Sequence, residues 1–437
     1  MTRSWTILCE SPELAVDLAR GAARLGLPVS PLVQERPLET AIATMDSQDR
    51  VGIALEAALE PNDAARLAEQ SRSRSARPPI SIADPQPLDL LHDLGLPATH
   101  ELGPMLAVMA LQGVGAERPW AAATRELPSI DRIRLGSSVS PQAMGRFVRV
   151  DDGLIAHLAD DETETPVGTP GDVAAALIAM RASHAASRPK VPVVPGVEAE
   201  AVLETILGPR RALSDPASKA ALSHYDVPLP REELCATPSR AASEAARIGF
   251  PVSVTLASPD LRVWNHPDLT AEVFSAAQAR EAYRQIMALA KHRTPEARLL
   301  GVTVSASTLA RSLLQIRMQP LPSGPLLTEI GFADPHGRAS NDKTTTVLPA
   351  TADALERVLL RLRGSALLIS GPAQERRRAV TAIGDVLMRL AAFVHQWRNE
   401  VDAVEVNPLA ILVGGELEIR QACVTVGDAF SRSLHVG

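Results

Sequence analysis

Apolar and polar positions alternate in short blocks through the N-terminal part of the chain. In WTILCESPELAVDLARGAARLGLPVSPLV (5–33), TILC reads as a short buried strand. A helix with Pro12 near its start follows, carrying Leu14, Val16, Leu18 and Ala19, and Gly26 ends it before a second strand. Arg50–Ala57 and Pro78–Asp84 are further apolar strands, separated by the helix DAARLAEQS with Asn62 as its cap. LGLPATHELGPMLAVMALQG adds another strand and helix. Strands alternating with helices predict a parallel, doubly wound sheet over roughly the first 115 residues.

The pattern weakens between Trp120 and Pro195. RFVRVDDGLIAHLAD reads as a hairpin turning at Asp152-Gly153, DDETETPVGTPGD as a polar loop, and GDVAAALIAMRASHAAS as a helix. SRPKVPVVPGVEAE, rich in proline, reads as a linker. From Ala201 the order changes. Two helices and a turn lead to the strand GFPVSVTLASP, then a strand and helix in TAEVFSAAQAREAYRQIMALAKHR. Consecutive strands follow in ARLLGVTVSAS, SLLQIRMQPL and GPLLTEIGFADPHG, and a long helix, RRRAVTAIGDVLMRLAAFVHQWRNE, precedes a last hairpin. This irregular alternation with mostly antiparallel strands is α+β. The expected organisation is therefore a multidomain α/β and α+β protein: residues 1–118, an intervening segment and linker 119–200, and a second large domain 201–437.

Composition narrows the function. Net charge is −7 and aromatics are 3%, which speaks against a nucleic-acid partner. Only four lysines occur, at 190, 219, 291 and 343. Cys9, Cys235 and Cys423 form no C-x-x-C pair and read as core-packing residues. No charged-plus-apolar leader and no membrane-length apolar run is present, so the expected location is cytoplasmic, with no membrane partner.

The last hairpin, DAVEVNPLAILVGGELEIRQ (402–421), carries Glu405, Asn407, Glu416 and Glu418, and carboxylates are ligands that hard cations such as Mg²⁺ favour. VEVNPLAIL resembles the E-x-N-P-L signature of the nucleoside-diphosphate-forming acyl-CoA synthetases, the acetate and succinate–CoA ligase group. Further landmarks fall in the same order: ALSHYDVPLPREELCATPSRAASEAARIGFPVSV with its G-[YF]-P-V strand, GVTVSAS, GPLL, TEIGFADPHGRASND and LPATADALERVLLRLRGSALLISG. The resemblance covers residues 201 to 430 and implies an ATP-grasp fold there. The N-terminal part is more weakly similar to the family's flavodoxin-like CoA-ligase domain. ATP, Mg²⁺ and CoA are the cofactors so implied, a carboxylic acid or acyl-CoA the substrate class, and a partner synthetase subunit or a second copy of the chain the partner.

The catalytic positions depart from the family's pattern. Thr255 stands where the resemblance places a phosphate-binding lysine. Val263 and Trp264 replace a His-Lys pair with no glycine following, leaving Arg262 and His266 as displaced substitutes or plain surface residues. The second glycine-rich segment keeps Gly331 and Gly337, with Glu329, Arg338 and Asp342 as its polar candidates. Asn407 matches a metal-binding asparagine, Glu405 accompanies it, and the partner aspartate fourteen residues on is Gln421. Asn407 before proline is equally a turn-initiating pair at a strand end. Glu416 and Glu418 share a face and read equally as solvated. None of the upstream histidines, His92, His100, His157 or His184, lies in a glycine-rich loop of the kind that carries the family's phosphohistidine. Ser11, after the first strand, is a phosphate candidate or an N-cap.

Three functions remain open: a degenerate family member with weak or no ligase activity that binds nucleotide, acyl or CoA ligands or supports a partner synthetase; an active ATP-dependent carboxylate–CoA ligase working with a separate subunit; and a transferase on the same scaffold. The lost charges favour the first.

Overall fold

The computed structural model describes residues 5–24, 27, 29–44, 50–56, 59–71, 77–84, 87–113, 143–144, 147–150, 153–156, 172, 175–176, 179, 189–322, 324–333, 339–369 and 373–427. The chain divides into two compact units, 1–187 and 188–437.

The first unit opens with β1 (Trp5–Cys9), α1 (Pro12–Arg24), β2 (Val29–Val33), α2 (Pro37–Thr44), β3 (Val51–Leu55), α3 (Pro61–Gln70), β4 (Ile80–Ile82), α4 (Leu88–Asp93), β5 (Ala98–Thr99) and α5 (Leu102–Gly113). Its five strands pair in parallel in the order β2-β1-β3-β4-β5, the flavodoxin-like arrangement. Both faces are covered, which is why these strands read as continuous apolar runs. Leu18 and Ala22 of α1 and Met105, Leu106 and Met109 of α5 pack with Trp5 and Ile7 on one side. Ala41, Ala64, Leu67 and Leu91 pack with Ile53 and Ile80 on the other. Asn62 does not cap α3: the helix begins at Pro61 with Glu60 at the N-cap and no side-chain cap, because proline's fixed φ and missing N–H suit the first helical position. Gly26, expected to end α1, lies outside the described residues.

A small antiparallel sheet follows, β6 (Ala143–Met144), β7 (Phe147–Val150) and β8 (Gly153–Ala156). Val150 pairs with Gly153, so Gly153 belongs to the returning strand and not to the turn expected at Asp152-Gly153. The helix predicted around GDVAAALIAMRASHAAS falls largely outside the described residues.

The second unit comprises α6 (Ala199–Ile206), β9 (Arg211–Ala212), α7 (Asp215–Ser223), β10 (Glu232–Cys235), α8 (Pro238–Ile248), β11 (Val252–Ala257), β12 (Thr270–Val273), α9 (Ala276–Arg293), β13 (Gly301–Ala306), β14 (Ala310–Pro320), β15 (Leu326–Ala333), β16 (Ala339–Leu348), α10 (Ala352–Leu360), α11 (Ser365–Ile369), α12 (Ala373–Gln396), β17 (Val401–Leu412), β18 (Leu417–Ile419) and β19 (Ala422–Val426). Two sheets form. The smaller runs β10-β13-β11-β12 and the larger β16-β15-β14-β17-β19-β9, with β18 beside β17. In the smaller sheet the period of two is sharp: Val252, Val254 and Leu256 face a core shared with α8 and α9, while Ser253 and Thr255 face away from it. The larger sheet packs under α12, where Ile383, Leu387, Leu390 and Phe393 are fully buried. The sequence pattern missed β16, since NDKTTTVL carries no clean alternation of apolar and polar positions. β16 is an edge strand whose polar residues need only one paired side.

Candidate functional site

The free face of the smaller sheet and the β17–β19 end of the larger one enclose a cavity of about 160 Å³. Ser253 and Thr255 of β11, Thr270 of β12 and Thr303 and Ser305 of β13 line one wall, and Pro408, Glu418, Arg420 and Gln421 the other. Thr255 is thus in the cavity, where the resemblance places a lysine. Trp264 lies on a short 3₁₀ turn, Val263–Asn265, at the cavity, with the Arg262 guanidinium 5.9 Å from its ring centre. Arg262 and His266 do not line the cavity. His266 sits instead 3.5 Å from Arg293 on the surface.

Beside this cavity lies a buried charge cluster that sequence reasoning missed. Helix α7 starts at the N-cap Ser214, whose hydroxyl accepts from Ala217 N–H. Asp215 and Ser218 then accept the backbone N–H groups of Ala422 (2.7 Å) and Val424 (2.9 Å), fastening the helix to β19. One turn on, Lys219 is 5% exposed. Its ammonium donates to Asp215 (2.9 Å), to Glu232 of the smaller sheet (2.7 Å) and to the carbonyl of Arg420 (2.6 Å). Those three bonds consume all three ammonium hydrogens. Burial alone would lower the Lys219 pKa, but Asp215 and Glu232 hold it above its ordinary value. Burial pushes both carboxyls up, against the pull of the ammonium. The one available signal was scarcity: Lys219 is one of four lysines and follows Asp215 at helical i,i+4 spacing.

Arg420, the cavity's guanidinium, is also engaged. It donates to the Thr308 carbonyl, to the Thr308 hydroxyl (3.1 Å) and to Glu418 (3.4 Å). Glu418 in turn accepts the Thr308 hydroxyl at 2.8 Å. The expectation of a merely solvated Glu418 is therefore corrected, while Glu416 is exposed beside Gly414.

The candidate metal residues fall in two places. Asn407 sits inside β17 rather than at a strand end: β17 pairs with β14 on both sides of it, across a bulge between Val406 and Leu409, and passes there from β19 to β18 on its other edge. Its backbone N–H donates to the Gln421 carbonyl at 3.0 Å. It is 7% exposed, and its side-chain Oδ1 has no hydrogen-bond partner. Glu405 opens instead onto a second cavity, 3.7 Å from Arg317. Among the described residues no group of three His, Cys, Asp or Glu is placed to hold a metal ion.

The remaining candidates have other partners. Glu329 pairs with Lys343 across β15 and β16 at 2.9 Å and does not line the cavity. Asp342 accepts the backbone N–H groups of Arg363 (2.8 Å) and Gly364 (2.7 Å). Arg338, His157 and His184 lie outside the described residues. In the first unit, β1 and β3 meet at the switch point where open α/β sheets bind ligands. There the Ser11 hydroxyl caps α1 at Leu14 N–H (3.2 Å) and donates to Glu56 (2.6 Å), whose N–H donates to Glu10 (2.6 Å). Two carboxylates at that point repel a phosphate. His92, lowered in pKa by burial, and His100 bond to the carbonyls of Ala98 (2.7 Å) and Ile82 (3.1 Å). All three cysteines are buried and free.

The family described as ATP-grasp domain matches residues 205–422, which takes in both sheets around the cavity. The chain belongs to the ATP-grasp family of ADP-forming acyl-CoA ligases. The beta subunit of the ADP-forming acetate–CoA ligase II of Pyrococcus furiosus is 23% identical to this ATP-grasp region over 221 residues, 50% of this chain and 93% of that protein. The ADP-forming 4-hydroxybutyrate–CoA ligase of Nitrosopumilus maritimus is 22% identical over 209 residues, 47% of this chain and 30% of that protein. A solved structure, the dinucleotide-forming acetyl-coenzyme A synthetase 1 of Ca. Korarchaeum cryptofilum with coenzyme A and Ca-AMPCP, aligns over 49% of this chain and 93% of its own. Its TM-score is 0.44 and its identity 21%. Among the described residues no helix is long and apolar enough to cross a membrane.

Proposed function

We propose that this ATP-grasp protein is a degenerate member of its family. It keeps the two-sheet cleft, has weak or no ligase activity, and serves by binding a ligand or supporting a partner synthetase subunit. One observation carries this reading: the cleft wall presents no lysine, and its one lining cation, Arg420, is already held by Thr308 and Glu418. Thr255 offers a neutral hydroxyl, Arg420 is bound to Thr308 and Glu418, and Lys219 behind the wall is fully bonded. Phosphoryl transfer is mostly positioning and charge stabilisation, so a site without such groups forfeits most of its rate.

The metal residues support the same reading. Mg²⁺ favours carboxylate oxygens in an octahedral set. Asn407 and Gln421 bring neutral amides and Glu405 opens elsewhere, so the residues present do not fit a Mg²⁺ pair, and no step is assigned to one. CoA and an acid substrate would then be the business of a separate subunit.

The test is acyl-CoA formation followed by ADP release, across short carboxylic acids with CoA and MgATP. The expected result is no turnover above the protein-free rate; ADP release that requires both acid and CoA would refute it. The second reading, an active ligase completed by a separate subunit, is favoured by the unpartnered, buried Asn407 Oδ1, an oxygen that a bound ion would satisfy. The same assay with that subunit added separates the two.

A further inference from the structure

Resting on the loss of triphosphate chemistry proposed above, we propose that the cleft takes an uncharged, hydroxyl-bearing ring of a free sugar. The first ground is the wall itself. Register pairs Ser253 with Ser305, and Thr255 with both Thr303 and Thr270, so five hydroxyls form one contiguous block on the cavity face. Few of their bonds are spent internally: Ser253 and Thr255 lie 3.3 Å apart, Thr255 meets Thr270, and Thr303 donates to the Thr255 carbonyl at 3.4 Å. A hydroxyl has one donor and two acceptor positions, so the block both gives and takes. A phosphate oxygen only accepts and an ammonium only donates. A sugar hydroxyl does both and matches the wall.

The second ground is charge. The acidic groups of the cavity and of the cluster behind it, Asp215, Glu232 and Glu418, outnumber the cations Lys219 and Arg420, which they already hold. Polyphosphate is repelled. Glu418 keeps acceptor capacity on its carboxylate for a ligand O–H, since such a group takes about four bonds. The third ground is shape. About 160 Å³ falls below the ~300–1,000 Å³ of a cleft for a drug-sized ligand and suits a single ring. Trp264, Pro230 and Pro267 give that ring an apolar surface for its C–H face.

The experiment is calorimetric titration of the full chain with D-ribose, D-glucose, adenosine and MgATP in separate runs, repeated on Thr303→Val, Ser305→Val and Trp264→Ala. Saturable binding of at least one free sugar is expected, weakened about tenfold by each hydroxyl-to-valine change, the worth of one good hydrogen bond. Binding of the free sugars supports the assignment; binding of adenosine alone would overturn it, since that is only the nucleoside part of the family's own ligand. Melting curves check that each variant is folded, and Trp264→Ala, outside both sheets, serves if a wall variant is not. If no free sugar saturates, or if the folded variants bind unchanged, the inference is overturned while the loss of triphosphate binding stands. MgATP binding more tightly than adenosine would overturn both.

Discussion

Replacing Lys219 with methionine leaves Asp215 and Glu232 as two buried carboxylates with no counter-ion. The side chains are 5%, 13% and 15% exposed, so water screens the cluster little. Removing one partner of a buried ion pair costs about 3–5 kcal/mol, because the remaining charge is stranded. For a domain of about 150–250 residues each kcal/mol moves the melting temperature by roughly 2–4 °C, so a fall of about 6–20 °C is expected by differential scanning calorimetry. The pH dependence has a definite sign. Burial raises both folded carboxyl pKa values above their ordinary ones, and losing the ammonium raises them further. An acid with a raised folded pKa is tolerated in the fold below that pKa and penalised as pH rises through it. The gap between variant and parent should therefore narrow from pH 8 to pH 5. Adding Asp215→Asn and Glu232→Gln to the variant should recover at least half of the loss. A gap that is independent of pH, or a loss below about 1 kcal/mol, would refute the stranded-charge argument.

Other expectations are narrower. Tyr225 donates to Gln396 (2.8 Å) and accepts from the Trp397 indole (2.7 Å), so Tyr225→Phe strands a buried N–H and should cost about 1–3 kcal/mol in urea unfolding. Gly301 has φ 129° and a Cβ there would run into the Cys235 carbonyl; Gly301→Ala should cost at least about 2 kcal/mol by the same measurement. Burial pushes all three cysteine thiols up to about 11. Native protein at pH 8 should therefore resist a thiol-specific disulfide reagent, and denatured protein should react at three sites.

Much of the scaffold was legible because periodicity reports burial directly. The parallel sheet of the first unit and the strand-helix order of the second follow from apolar blocks such as WTILC and from the long stripe of α12. Thr255 and Gln421 were legible as departures because the resemblance fixed their positions, and both line the cavity. Lys219, Glu232 and Arg420 were not legible. They come from three separate elements, and only tertiary packing brings an ammonium on α7 to a carboxylate on β10 and a carbonyl between β18 and β19. Glu405 and Asn407 share a strand, yet Glu405 reaches the second cavity and Arg317, its register partner on the neighbouring β14, a pairing fixed by tertiary structure.

The central claim, that the cleft no longer grips a nucleoside triphosphate, is tested most directly by calorimetric titration of MgATP into the full chain. The account predicts no saturable heat up to millimolar ligand, and recovery of weak binding in Thr255→Lys. Saturable micromolar binding of MgATP by the unaltered protein would contradict it.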